Sequence, residues 1–383
     1  MRVLLYDMGS YTQADLYETL KIMNIECKSI MYRLRDEEED AYFEKCVKQL
    51  LNENIYDAVI SVNYFPILAK ICKSVGLPYL SWSYDSPINV PGMEKTLGFG
   101  TNHVFFFDRM ECLKYQKKGY ENVHHLPLAV NTDRLDGVFI TEEDRKKYSS
   151  EISMVGQLYD TSLQTLMLPM DEFDQGYITA AIETQLRLYG VYLLENMISQ
   201  DLVNRVNAAY IKHGQTTMLR RDALEVVVAK HVTHVEREVL LGVLGEEHDL
   251  HLYGPDRGDH LVGVKWCGSA GYFDEMPKIF KLSKINLNIS LKCIQTGIPL
   301  RVLDILGSGG FLLTNWQEEI AEYFTDGEEL VMYSSIEDAV AKCKYYLEHE
   351  DERKAIANNG YRKVKELFPY EDRVREMLRV AGF

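Results

Sequence analysis

The sequence predicts an α/β protein built from two doubly wound parallel domains, and three observations lead there. Short apolar runs rich in β-branched residues recur along the chain, separated by amphipathic stretches of helical period. At 383 residues the chain is too long for one comfortable core, so two domains of ordinary size are the natural division. The run 295–315 (QTGIPLRVLDILGSGGFLLTN) then shows one repeating unit in miniature: a Gly and Pro turn, a short amphipathic helix, a glycine stop and an apolar strand.

In the first half the elements alternate. Residues 2–6 read as a strand, followed by a loop with Gly9 and Ser10 and a helix over 12–23. A strand over 27–31 leads to the acidic run 35–40, which reads as a solvated helix start rather than a metal cluster, the helix running to about 54. Strand 56–62, helix 64–75, strand 78–82, strand 103–108, helix 111–118 and strand 123–126 complete the pattern. Strands separated by helices in this way imply a parallel sheet.

Residues 151–156 (EISMVG) open a second domain as an apolar strand ending in glycine. From 162 to 244 every apolar repeat is helical, with 177–199 the longest stretch, so a helical insertion is expected there. Strands return at 251–254, 264–266, 285–289 and 331–333, and helices follow at 336–349, 351–365 and 370–380. The expected organisation is 1–150, 151–369 with the insertion, and a terminal helical segment 370–383.

Composition narrows the function. The net charge of −16 argues against broad attraction to nucleic acid or an anionic membrane surface. No stretch approaches the length of a membrane span or a secretory leader. The seven cysteines are scattered with no CxxC pair, as expected of reduced thiols in a cytoplasmic protein, and zinc is a poor fit.

The chemistry concentrates around 295–315. A helix starting at the carboxyl edge of a strand offers free backbone N–H groups and a favourable dipole to an anion. Thr296, Gly297 and Ile298 stand at that start, Gln295 just before it, and Arg301 and Asp304 lie three apart along the helix. Arg301 suits a diphosphate, whose oxygens its planar fork can grip, or else it pairs with Asp304. Asp304 suits ribose hydroxyls, or else is a polar residue on a solvent face. The pattern therefore reads as a pocket for a nucleoside diphosphate. Gly156 and Gln157 end one strand, Tyr253 and Gly254 another, and Trp266 and Gly268 follow a third, so these six residues are candidate lining. Tyr253 or Trp266 could stack on a base, although aromatics at strand ends are more often core. In the first half, Asp85 follows a strand in a loop pinned by Pro87 and is the candidate base for activating a hydroxyl, the alternative being a turn cap. His103 and Asp108 are lesser rivals. With no Asp-x-Asp at a strand end, no metal is expected.

Three stretches resemble one family. Residues 80–87 (LSWSYDSP), 151–159 (EISMVGQLY) and 283–315 (SKINLNIS through FLLTN) are similar to the signatures of CgeB-like, spore-maturation-type glycosyltransferases, and the likeness continues into the tail. The resemblance implies the GT-B fold, two Rossmann-like domains facing a cleft, with donor bound on the second and acceptor mainly on the first. It implies transfer of a sugar from a UDP-sugar to a hydroxyl of a protein or surface glycan, with no cofactor beyond the donor substrate. Related retaining enzymes carry two acids eight positions apart; here Asp304 matches the second, but Thr296 stands in place of the first. That departure keeps open a GT-B protein that binds sugar nucleotides, or partners another transferase, without transfer activity. An epimerase or phosphorylase is a further rival, and the latter lacks a convincing lysine for pyridoxal phosphate.

Overall fold

The computed structural model describes residues 1–53, 55–159, 163–216 and 218–383. The expected helix end near 54 and the expected first residue of the insertion, 162, lie outside the described residues. Two compact units partition the chain. Unit 1 comprises Met1–Asn131, Thr296–Leu303 and Lys365–Phe383; unit 2 comprises Thr132–Gln295 and Asp304–Val364.

Unit 1 is organised on a six-stranded parallel sheet of β1 (Arg2–Asp7), β2 (Glu26–Met31), β3 (Ala58–Val62), β4 (Tyr79–Trp82), β5 (Asn102–Phe106) and β6 (Val123–His125), in the order β2-β1-β3-β4-β5-β6. β3 and β4 are buried on every residue, which is why they read as continuous apolar runs rather than as alternation. The helix Pro66–Val75 begins on a proline, whose missing N–H costs nothing there, and ends on Gly76 at φ 69°. The terminal helix Tyr370–Val380 packs in this unit: the Tyr370 ring meets Trp82 edge-on, and Arg373 donates to the Pro127 carbonyl.

Unit 2 repeats the architecture with β7 (Ser150–Val155), β8 (Leu250–Tyr253), β9 (Val264–Trp266), β10 (Ser283–Asn288), β11 (Leu312–Asn315) and β12 (Val331–Tyr333), all parallel in the order β12-β11-β10-β7-β8-β9. Strand order reverses between β7 and β10, where open α/β sheets bind their ligands. The connection from β7 to β8 is helical among its described residues and has its own core, in which Ile178, Leu202, Val206, Leu224 and Val228 are buried. The stretch read as one helix over 177–199 is broken. The helix Glu172–Leu186 stops, Gly190 turns at φ 73°, and the longest helix is Arg221–Glu247. A Cβ on Gly190 would lie 2.0 Å from the Trp316 ring, so the turn needs glycine for space as well as for conformation.

Candidate functional site

The carboxyl edge of the unit 2 sheet brings glycine backbone together with the Arg237 cation. The Gly156 N–H donates to the Tyr253 carbonyl at 2.9 Å, and the Gly254 N–H to the Gly268 carbonyl at 3.0 Å. A Cβ on Gly254 would fall 2.2 Å from the Gly156 carbonyl oxygen, so these strand ends touch through bare backbone. The Trp266 indole N–H donates to the Gly254 carbonyl at 3.0 Å. Thus Gly156, Gly254, Gly268 and Trp266 form one cluster, and the exposed Gln157 follows it.

Arg237, from the middle of Arg221–Glu247, reaches this edge. Its guanidinium donates to the main-chain carbonyls of Gln157, after β7, and Ile289, after β10, so it bridges the point where strand order reverses. It lies 4.8 Å from the Tyr159 ring centroid, and a Cβ on Gly156 would come within 3.2 Å of its Nη1. Beside it Glu236 forms a buried ion pair with Lys292 at 2.8 Å and accepts from the Tyr189 hydroxyl at 2.8 Å. Beyond β10 and β11, the Ser290 N–H donates to Asn315 Oδ1 at 2.7 Å, the Ser290 hydroxyl to Gln317 Oε1 at 2.7 Å, and the Gln317 amide to the Ile294 carbonyl at 3.1 Å. These bonds fix the loop that presents half-buried Gln295 to a crevice shared with Lys292, Asn315 and Trp316.

Other expected residues of unit 2 lie elsewhere. Tyr253 is 3% exposed and its hydroxyl turns to the His251 ring on the sheet face; burial holds its pKa well above the ordinary phenol value. Asp304 is not on a solvent face. It is 4% exposed and accepts from the Tyr272 hydroxyl at 2.9 Å, with Arg134 stacked over the same ring at 5.3 Å.

In unit 1, Asp85 is exposed at the end of β4. Asn63, at φ 61° just past β3, fixes it: the Asn63 amide donates to Asp85 Oδ2 at 2.7 Å, while its Oδ1 accepts the N–H groups of Tyr84 and Asp85. Next to it Ser86 donates to Glu111 Oε2 at 2.7 Å and to Asp108 Oδ2 at 3.3 Å. Asp108 caps the helix Arg109–Lys117 through the Met110 N–H, and it also accepts the Thr296 hydroxyl at 2.9 Å and the Thr296 N–H at 3.3 Å. Gly297 packs so tightly that a Cβ would meet the Asp108 backbone at 2.8 Å. Thr296, Gly297 and Ile298 are therefore buried in unit 1, the Thr296 N–H directed to a carboxylate of the protein itself. Arg301 is half-buried in the same unit. Burial pushes the Glu111 carboxyl up to about 8, and the neighbouring Asp108 adds to the shift. His103 and His124 stack with ring centroids 6.5 Å apart, and burial lowers both pKa values.

Sequence reasoning did not single out Arg237, Asn63, Glu111 or Lys292. Only Asn63 carried a local signal, a short polar residue directly after a fully buried strand. Among the described residues, no group of three or more His, Cys, Asp or Glu side chains could hold a metal ion, and no helix is long and apolar enough to cross a membrane.

This architecture has known counterparts. The chain is similar over its whole length to a glycosyltransferase from Rickettsia africae ESF-5 (TM-score 0.58, 11% identity, covering 99% of this chain and 97% of that one). Sucrose-phosphate synthase from Thermosynechococcus elongatus is similar at TM-score 0.57 and 9% identity, covering 99% and 98% of the two chains. Anabaena Alr3699/HepE, solved in complex with UDP and glucose, is similar at TM-score 0.55 and 10% identity, covering 99% of each chain. The fold is GT-B, with two six-stranded parallel sheets. Residues 236–379 match the family model described as Glycosyl transferase-like, a span that begins at Glu236 and Arg237 and contains most of the unit 2 edge. No curated protein matches the chain in sequence.

Proposed function

We propose that this protein is a glycosyltransferase of the CgeB-like kind, moving a sugar from a UDP-sugar to a hydroxyl of a protein or surface glycan in the cytoplasm, without a metal. The observation that carries the reading is the Arg237 guanidinium held across the strand-order reversal of unit 2, beside glycine strand ends, within the span that matches the Glycosyl transferase-like family. A cation fixed by two carbonyls costs no reorganisation when charge develops on a leaving diphosphate. In this reading UDP binds at Gly156, Gly254 and Gly268, with Arg237 neutralising its phosphates. Asp304 holds the ribose through rearrangement of its bond to Tyr272. The acceptor oxygen attacks the anomeric carbon, the bond from that carbon to the diphosphate oxygen breaks, and the acceptor proton passes to Asp85, whose orientation Asn63 fixes.

The second reading, a GT-B protein that binds sugar nucleotides without transfer, is favoured by Thr296 standing where related retaining enzymes have an acid. Calorimetric titration with UDP, GDP and their sugar conjugates, alongside Asp304→Ala, tests both. Selective binding of one UDP-sugar that weakens in the variant, with UDP released on turnover, supports transfer. Binding with neither transfer nor hydrolysis supports the second reading, and no nucleotide binding overturns both.

A further inference from the structure

The face of the unit 2 sheet carries a pocket outside the residues assigned to the donor in the proposed function. Leu250 and Leu252 of β8 enter the core with Leu240 and Leu244 of the long helix. Alternation therefore puts His251 and Tyr253 on the opposite face. There His251 Nδ1 meets the Tyr253 hydroxyl at 3.3 Å and its Nε2 meets Lys265 Nζ at 3.3 Å. Tyr148 comes over Tyr253 with ring centroids 6.4 Å apart. Lys146, Lys147, Tyr148, Tyr253, Lys265 and Cys267 line the resulting pocket of about 320 Å³, at the small end of the roughly 300–1,000 Å³ range of ligand sites.

Its charge runs against that of the chain. The protein carries −16, yet this pocket holds three lysines and one carboxylate, Glu275. Glu275 is already committed: it accepts the Tyr148 hydroxyl at 2.6 Å, the Lys147 ammonium at 3.0 Å and the Gly271 N–H at 2.9 Å, which hold its pKa down to about 2. Lys146 makes no ion pair or hydrogen bond among the described residues, and it is exposed. The Lys265 ammonium lies against the His251 ring, and Asp249 faces the same ring nitrogen at 3.2 Å. Exposed Ser269 adds a hydroxyl donor at the rim.

We propose that this pocket is a second ligand site, taking a small phosphate monoester whose dianion lies between Lys146, Lys265 and Ser269 and whose body rests on Tyr148 and Cys267. Two ammonium groups and a hydroxyl match the oxygens of a terminal phosphate, and charge-assisted bonds of this kind are the stronger ones.

Cys267 makes the site observable. Maleimide modification of the intact protein, followed at the Cys267 peptide by mass spectrometry, is measured against rising glucose 6-phosphate and, separately, inorganic phosphate. Saturable protection by glucose 6-phosphate is expected, with the midpoint moved roughly tenfold or more to higher concentration in a Lys146→Gln/Lys265→Gln double variant. Lys45→Gln, on an exposed position of unit 1, leaves the midpoint unchanged. The His251 imidazole gives a second readout. Burial and then Lys265 depress its pKa, so phosphate bound at Lys265 raises its NMR titration midpoint. Absence of protection, or equal protection in the double variant, overturns the proposal. Competition by UDP for the same protection also overturns it, by assigning the pocket to the donor.

Discussion

The two sheets have the same six parallel strands and opposite chemistry at their carboxyl edges. In unit 1 that edge is made of acids set by side chains: Asp85 held by Asn63, and Asp108 and Glu111 joined through Ser86. In unit 2 it is largely bare backbone, with Gly254 in contact with both Gly156 and Gly268, and with Arg237 bridging two strand ends beside the Glu236–Lys292 pair. An acidic edge repels a diphosphate and can take a proton. A glycine edge with a guanidinium does the reverse. A duplicated architecture thus supplies two environments without any change of topology, and the sharpest experiments break one edge while leaving the other intact.

The largest effect should come from the acidic edge. Asp85→Asn keeps a partner for Asn63 but removes the proposed base, so under the proposed function transfer should fall by roughly 10²–10⁴-fold. UDP-sugar affinity, measured by calorimetry, should stay unchanged. Loss of binding in this variant would break the division of labour. The complementary change is Arg237→Gln. Losing a fixed cation should weaken UDP binding by roughly tenfold to a hundredfold, at about 1.5–3 kcal/mol per hydrogen bond to a charged group. Because the guanidinium also ties two strand ends, Arg237→Lys keeps charge without the fork and separates the roles. UDP affinity recovered with a lowered melting temperature assigns the charge to binding and the fork to structure.

Within unit 2 the glycine contacts can be tested for stability alone. Gly254→Ala drives a Cβ to 2.2 Å from the Gly156 carbonyl oxygen and should cost about 1–3 kcal/mol in denaturant unfolding. Gly176→Ala, in the helix Glu172–Leu186 with nothing within 4 Å, should be neutral or stabilising by up to about 1 kcal/mol.

These residues also show what was readable in advance. The strands were legible because buried parallel strands read as apolar runs, and Gly156 and Gly254 stood out as glycines directly after such runs. Arg237 was not legible. It lies 80 residues from Gln157 along the chain and reads as one more charge in a long helix. The break at Gly190 was missed because helical period extends across an apolar turn, and only the Trp316 ring packed against it shows why the chain must bend there. Asp304 was picked out by its spacing from Arg301, but its bond to Tyr272 depends on tertiary packing that no local pattern reports. Asp108, a lesser candidate in the sequence, accepts the Thr296 hydroxyl at 2.9 Å across 188 residues of chain, a contact no local pattern reports.

Stability against pH tests whether the acidic edge stores a proton. Glu111 ionises near 4.5 when unfolded and at about 8 in the native protein, because burial disfavours its charge and Asp108 adds to that. Below 4.5 both states hold the proton and Glu111 adds no slope. Between those values the native state keeps a proton that the unfolded state has released, so its contribution to stability falls as pH rises, and above 8 it levels off. Asp144 and Glu275, both held down to about 2 by hydrogen bonds and lysine partners, lose their contributions only as pH falls below 4.5, a separate window. His103 and His124, whose pKa values burial lowers, add stability as pH rises toward 6.5 and partly mask Glu111 in the wild type. The informative measurement is therefore the difference between wild type and Glu111→Gln. The variant should gain on wild type steadily from pH 4.5 to 8 in thermal unfolding, since Gln stays neutral, its oxygen can accept the Ile88 N–H and its amide can donate to the Ser86 hydroxyl. A constant difference across that range would mean that Glu111 is ionised in the native protein and that its charge is balanced within the acidic edge.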